Sequence, residues 1–338
     1  MPTLGDAMNN NLYIRRGTID TFPAPWKAEN VEMSVMYLKA NRTKLCELCD
    51  RTLNNPSNGH FKFQPTTDYV MLTFQSINQL WSMDKDYQSV GFIDELEASF
   101  WIFVKDENNP DGEEMMHIPY MFTDNPLAVL TGREVYGFPK EFAEIKIGDS
   151  EMPYSVKALA ATKTSVNSAA DGVPSTRIEQ REIIRVEKKN LSDVLSWETF
   201  SSKAAAIGEI LTLDSDVINL FKDLINLLQT GSLRYVLLKQ FRGIESRQIL
   251  DNKEVADFQS ICFAEQNIFN FRNPEFILNC HQLIIPRNLL THSIVDDLGL
   301  SNQVVKDDQF IIDILLTTRI TLSFILQSGK KSTHICAQ

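Results

Sequence analysis

The sequence predicts an α+β protein built mainly on an antiparallel β-barrel or cone, with peripheral helices and one helical insert. Three observations predict it. Short runs rich in β-branched and aromatic residues recur through most of the chain, divided by Gly, Pro, Asn and Asp clusters. One internal region, about 190–231, switches to a helical period. After it the strand-like runs resume.

In chain order, residues 1–20 are polar and loop-like, Val31 to Leu38 predicts a strand, and Arg42 to Leu53 a short helix. Asn54 to His60 is a turn cluster. Tyr69 to Gln75 and Gly91 to Lys105 predict strands, and Asp106 to Gly112 a hairpin loop. Met115 to Phe122 returns as a strand interrupted by Pro119. Asn125 to Thr131 predicts a short helix stopped at Gly132, and Phe142 to Ile147 a strand. Tyr154 to Thr164 and Thr176 to Val186 are further strands, with a Ser/Ala/Gly-rich loop at Ser165 to Pro174. Ser196 to Leu211 reads helical. Asp214-Ser215-Asp216 then caps a helix with a stripe at Ile218, Phe221, Leu224, Ile225 and Leu228, ending at Gly231. Arg234 to Gln240, Glu254 to Phe271 and Phe276 to Pro286 predict strands, and Arg287 to Leu298 a helix. The organisation expected is a single domain over 1–338, with the insert at about 190–231 and a C-terminal extension at about 301–338.

Composition narrows the function classes. The 338 residues are 43% hydrophobic and 23% charged, ordinary for a soluble protein with a sizeable core. A net charge of -11 without a basic cluster argues against nucleic-acid binding. Met1 to Thr18 has no apolar core segment of a signal peptide, and Phe310 to Leu326 is too short and polar for a membrane helix. No membrane partner is therefore expected. Five scattered cysteines suggest reduced thiols and a cytoplasmic location. Cys46-Glu47-Leu48-Cys49 lacks the second pair that zinc would need and reads as helix packing. The five histidines show no metal spacing, so no metal is expected. No nucleotide-binding glycine loop or serine-hydrolase elbow occurs.

The sharpest chemical signal is Gly132-Arg133-Glu134-Val135-Tyr136-Gly137-Phe138-Pro139-Lys140-Glu141. It sets Lys140 after a proline, among Tyr136, Phe138 and Phe142. An amine desolvated there should lose basicity, and a neutral amine attacks carbonyls to form a Schiff base. Glu95 is the candidate proton carrier. In a strand it shares a face with Ile93, Glu97 and Trp101. Read from the residues alone, an exposed Lys140 and a solvated acidic strand face are the competing interpretations.

Gly-Arg-Glu-x-x-x-(aromatic)-Pro-Lys resembles the signature of the acetoacetate decarboxylase family. Asp124-Asn125-Pro126-Leu127-Ala128 and Phe22-Pro23-Ala24-Pro25-Trp26 resemble two further family segments, and the pattern over 232–300 is also similar. The likeness covers about two thirds of the chain. It implies the barrel or cone architecture, Lys140 as the Schiff-base nucleophile, Glu95 as the active-site glutamate and no cofactor beyond the covalent imine.

The chain also departs from the family pattern. Glu141 stands where the family's decarboxylases carry a second lysine, so it is either an added acid/base or a structural residue pointing away. An arginine that faces the substrate carboxylate in those decarboxylases has no counterpart near Val31. A glutamate on their next strand is replaced here by Thr73 or Gln75. Expected substrate-binding residues are Arg133, as the local anion binder or a scaffold, Tyr136 and Tyr120 as phenolic donors, and Gln75; Gln79 and Trp81 are further lining candidates. These departures favour an aldolase-dehydratase or cyclase of secondary metabolism acting on a small or medium oxo acid. A β-oxo acid decarboxylase and a non-catalytic ligand-binding protein are the alternatives. The family likeness also implies a homo-oligomer.

Overall fold

The computed structural model describes residues 13, 21–148, 153–162, 178–188, 195–196, 215–242, 249–250, 253–254, 256–301 and 303–331. The strands are β1 (Trp26–Lys39), β2 (Phe63–Pro65), β3 (Tyr69–Ser82), β4 (Ile93–Asp106), β5 (Met115–Thr123), β6 (Lys140–Lys146), β7 (Tyr154–Ala160) and β8 (Glu179–Lys188). They continue as β9 (Leu195–Ser196), β10 (Ser232–Arg242), β11 (Ile249–Leu250), β12 (Lys253–Glu254), β13 (Ala256–Pro286), β14 (Gln303–Lys306), β15 (Gln309–Leu326) and β16 (Lys330–Lys331). The helices are α1 (Arg42–Cys49), α2 (Pro126–Thr131), α3 (Ser215–Thr230) and α4 (Ile294–Leu298).

Nine strands close a barrel in the order β1-β3-β4-β5-β6-β7-β8-β13-β15 and back to β1. All of these junctions are antiparallel except β5 with β6. β10 adds a second closure, antiparallel to β13 and parallel to β5. The mainly antiparallel barrel with few helices is thus the architecture the sequence predicts.

The central strands carry apolar residues on both faces. Val35, Tyr37, Met71, Trp101 and Phe103 enter one core, and Met36, Leu38, Leu72, Phe100 and Ile102 enter another. A strand buried on both faces shows a continuous apolar run, because neither side of its two-residue alternation meets water. The first core lies under β10 and the first half of β13; the second lies against β6, β7 and β8. α3 buries Leu224, Ile225 and Leu228 in the first core. Each such side chain contributes roughly 1.5–3 kcal/mol on burial.

Several expectations are corrected. The C-terminal region is not an extension, since β15 pairs with both β1 and β13 and completes the barrel. Its apolar run, judged too polar for a helix in a membrane, suits a strand whose Asp313 is exposed while Ile312, Ile314 and Leu316 are buried. The two strands expected over 254–286 are one, β13, bent by register shifts near Phe269, Arg272 and Glu275. The helix expected over 287–298 is confined to α4, following the left-handed His292. The helix expected to Leu53 stops at Cys49 and passes into a π-helical turn, Asp50–Asn54. Pro119 does not break β5, whose pairing with β4 shifts register between Phe100 and Ile102. In the insert, α3 is present, whereas Leu195–Ser196 is strand. The remainder of the helix expected to Leu211, the cap residue Asp214 and the loop at 165–174 lie outside the described residues, as do the side chains of Ile218 and Phe221. Among the described residues no helix is long and apolar enough to cross a membrane.

Candidate active site

Alternation along β4 places Glu95, Glu97, Ser99 and Trp101 on one face, toward the first core. The segment 124–140 brings Lys140 to meet them. Asp124 and Asn125 grip the backbone on either side of Glu95. Leu96 N donates to Asp124 Oδ1 at 2.7 Å, and Asn125 Nδ2 donates to Asp94 O at 2.8 Å. Asn125 Oδ1 also accepts from Leu127 N and Ala128 N, capping α2. Burial raises the Asp124 carboxyl above its ordinary value, against the hydrogen bond from Leu96.

The chain then tightens into a π-helical turn, Gly132–Tyr136. Two glycines are required there for different reasons. A Cβ on Gly132 would lie 2.7 Å from Lys140 Cδ, so its absence makes room for the lysine side chain. Gly137 has φ +85°, and a Cβ there would stand 2.8 Å from the Cα of Lys239 on β10. Arg133 Nη1 donates to Lys140 O at 3.2 Å, closing the turn onto the start of β6. Lys140 pairs with Met121 across the parallel β5–β6 junction.

Lys140 is buried, with 7% of its surface exposed. Its Nζ donates to Glu95 Oε1 and lies 3.3 Å from Glu97 Oε2. Glu97 Oε1 accepts from Gln75 Nε2 at 2.9 Å and from Ser99 Oγ at 3.1 Å. Trp101 Nε1 donates to Ser99 Oγ at 2.7 Å. Glu95 Oε2 is buried without a hydrogen-bond partner. Lys140, Glu95, Glu97, Gln75 and Trp101 line a cavity of about 630 Å³, open mouth included, together with Tyr136, Phe138, Tyr235, Gln266 and an apolar wall. Phe138 meets Tyr235 edge-on at 5.8 Å, and Tyr235 OH donates to Gln266 Oε1.

The electrostatics correct one expectation. Burial is the largest single influence on Lys140 and lowers its basicity. The charges and hydrogen bonds of Glu95 and Glu97 together outweigh it, so the amine is held above its ordinary value. Burial also drives the Glu97 carboxyl up to about 7; Lys140 opposes this and Glu95 adds to it. Near neutrality the site therefore holds an ammonium and a carboxyl that retains a proton. Tyr235 is likewise held well above its ordinary value, by burial and then by the Glu97 charge.

The structure brings together Lys140, Glu95, Gln75 and Tyr136 from the expected residues. It does not bring Glu141. Adjacent to Lys140 on a strand, Glu141 takes the other side, toward Ala143 and Ile145 of the second core, and faces His292 Nε2 at 3.0 Å. Tyr120 also packs against the second core, where its hydroxyl donates to Asp297 Oδ2 at 2.5 Å. Arg133 is exposed and braces the turn. Gln79 is exposed, and Trp81 sits beside Lys27, whose Nζ is 5.3 Å from the ring centre. Sequence reasoning missed the role of Glu97, although its parity with Glu95 and Trp101 was readable. Tyr235 and Gln266 come from strands beyond the insert and carried no local signal. Among the described residues no group of three or more His, Cys, Asp or Glu could hold a metal ion.

Residues 69–164 match the family model described as "Acetoacetate decarboxylase (ADC)". The crystal structure of acetoacetate decarboxylase from Legionella pneumophila is similar in fold, with TM-score 0.54 and 13% identity over 96% of this chain and 93% of that one. The enduracididine biosynthesis enzyme MppR with HEPES buffer bound gives TM-score 0.52 and 11% identity, covering 92% of this chain and 88% of that one. A further acetoacetate decarboxylase structure gives 0.51 and 14%, covering 95% and 97%. A search of curated proteins finds no match.

Proposed function

We propose that this acetoacetate decarboxylase-like chain is a lyase that forms a Schiff base between Lys140 and the carbonyl group of a small or medium oxo compound. The observation that carries the reading is the placement of Lys140 Nζ between two buried carboxyl groups, Glu95 and Glu97, inside a cavity. A raised amine basicity is no obstacle. In a dry site, passing a proton from the ammonium to the carboxylate it touches removes two buried charges at once. The amine that results is the nucleophile.

The step balances within the three residues. Lys140 gives up two of its three protons, which pass through Glu95 and Glu97 to the carbonyl oxygen. The N–C bond forms and that oxygen leaves as water. The iminium keeps the positive charge beside Glu95. It then accepts electrons from a breaking C–C bond or a departing α-proton. The unpartnered Glu95 Oε2 is the group free to take the proton. Aldol cleavage or dehydration of a β-hydroxy carbonyl uses this acid/base pair fully. The chemistry draws on no organic cofactor, because the protein's own amine supplies the electron sink.

Decarboxylation is less well supported. It needs a carboxylate bound beside the imine, and the cavity offers it two acidic side chains. The test is borohydride trapping with a panel of oxo compounds, oxo acids included, read by intact mass and peptide mapping. A stable adduct on Lys140 is the expected result. Absence of any adduct from folded protein returns the chain to a ligand-binding role.

A further inference from the structure

The cavity that holds Lys140 carries a charge count that restricts what can enter. Among the described residues that line it, Lys140 is the one cation, and Glu95 and Glu97 already face it. No arginine lines it. Arg133 is exposed outside and bonded to the Lys140 carbonyl. The rest of the wall is apolar, including Trp26, Ile77, Leu80, Ile118, Phe324 and Leu326. The neutral polar groups are Gln75, Thr131, Tyr136, Tyr235 and Gln266.

An anionic substrate would add a second buried negative charge beside Glu95 with no partner left for it. A buried charge is tolerated only when paired and hydrogen-bonded. Forming the iminium does not relieve this, because that cation replaces the ammonium one for one and Glu95 remains its counter-ion. A neutral substrate leaves the pair balanced at every step.

Resting on the Schiff-base reading of Lys140, we infer that the substrate is an uncharged ketone, aldehyde or enone bearing a hydrocarbon chain, with no free carboxylate. The apolar wall takes the chain. The two glutamine amides and the tyrosine and threonine hydroxyls suit a hydroxyl or second keto group.

The experiment traps adducts with cyanoborohydride, using 2-oxooctanoate against its methyl ester, and octan-2-one against acetone. Each yield is normalised to that of a free acetyl-lysine amide under the same conditions, which removes differences in intrinsic reactivity. Peptide mapping locates the modified lysine. The expected result is an adduct on Lys140, with the ester favoured over the acid at least about tenfold and octan-2-one over acetone by a similar factor. Equal or better trapping of the acid on Lys140 overturns the inference while leaving the imine intact. Acetone trapped as well as octan-2-one removes the hydrocarbon-chain part in the same way. No adduct on Lys140 with any of the four overturns the Schiff-base reading, and this inference with it.

Discussion

Glu97 Oε2 lies 3.3 Å from Lys140 Nζ, although Glu95, two residues earlier on β4, already accepts a hydrogen bond from the same nitrogen. One ammonium is therefore shared by two buried carboxyl groups. Burial pushes the less tightly paired one, Glu97, up to about 7, and the neighbouring Glu95 charge adds to this while Lys140 opposes it. The pair separates the roles: Glu95 as base beside the amine, Glu97 as the acid that still holds a proton near neutrality.

This proton makes stability depend on pH. The folded state holds Glu97 protonated up to about 7, whereas the unfolded carboxyl titrates near its ordinary 4.5. Between these values the native state binds more protons than the unfolded chain, so stability falls as pH rises through that window. Urea denaturation of the wild type and Glu97→Gln between pH 5 and 8 checks it. The variant should gain relative to wild type as the pH rises. The rate of Lys140 adduct formation in the wild type should also fall above about pH 7, and Glu97→Gln should lack that limb. Parallel stability curves would remove the assignment.

Gly132→Ala tests the steric role of the glycine. Alanine is favoured over glycine in a helical turn by about 1 kcal/mol. Against this stands overpacking, worth about 1–3 kcal/mol. The atom struck is Cδ of a flexible lysine at 2.7 Å, so the side chain moves and stability changes by no more than about 2 kcal/mol. The displaced amine leaves Glu95 and Glu97, and an ångström of misplacement lowers the reaction by roughly 10²-fold. Trapping rate and melting temperature measured on the same sample should separate in this way.

Asn125→Ala removes both the α2 cap and the bond to Asp94 O. Each is worth about 1 kcal/mol, so a loss of about 2 kcal/mol is expected in denaturant unfolding. The adduct should also form more slowly, because Asp94 anchors the strand at Glu95. Asn125→Asp keeps the cap but not the donated bond. It should recover most of the stability and little of the rate.

Much of this site was legible because strands alternate. Glu95 and Lys140 were readable from the motif and from the face Glu95 shares with Trp101. The same alternation sets Glu97 on the face of Glu95, but as one of three acids in a short run it read as part of a solvated face rather than as a partner of Lys140. Tyr235 and Gln266 reach the cavity from β10 and β13, far along the chain, and no local pattern marks such a contact. β15 escaped for another reason. The even positions from Ile312 to Phe324 are buried, but the opposite, partly buried face also carries Ile311, Leu315 and Ile325, so the run is apolar on both faces, and Asp313 and Arg319 looked like interruptions rather than positions on the more exposed face.

Glu141 gives the sharpest contrast with its neighbour. It is one residue from Lys140, yet the strand directs it to His292, with side-chain exposure of 39% for Glu141 and 7% for His292. A half-exposed carboxylate is screened by water, and the pair with His292 is worth at most about 1 kcal/mol. Glu141→Gln should therefore leave the rate and pH profile of Lys140 adduct formation within about twofold of wild type. His292→Ala should behave the same way toward the amine while lowering stability, since it also removes the ring packed 6.0 Å from Phe122. A loss of adduct formation in Glu141→Gln, with the fold intact by circular dichroism, would give this carboxylate a part in the chemistry that its position on β6 denies it.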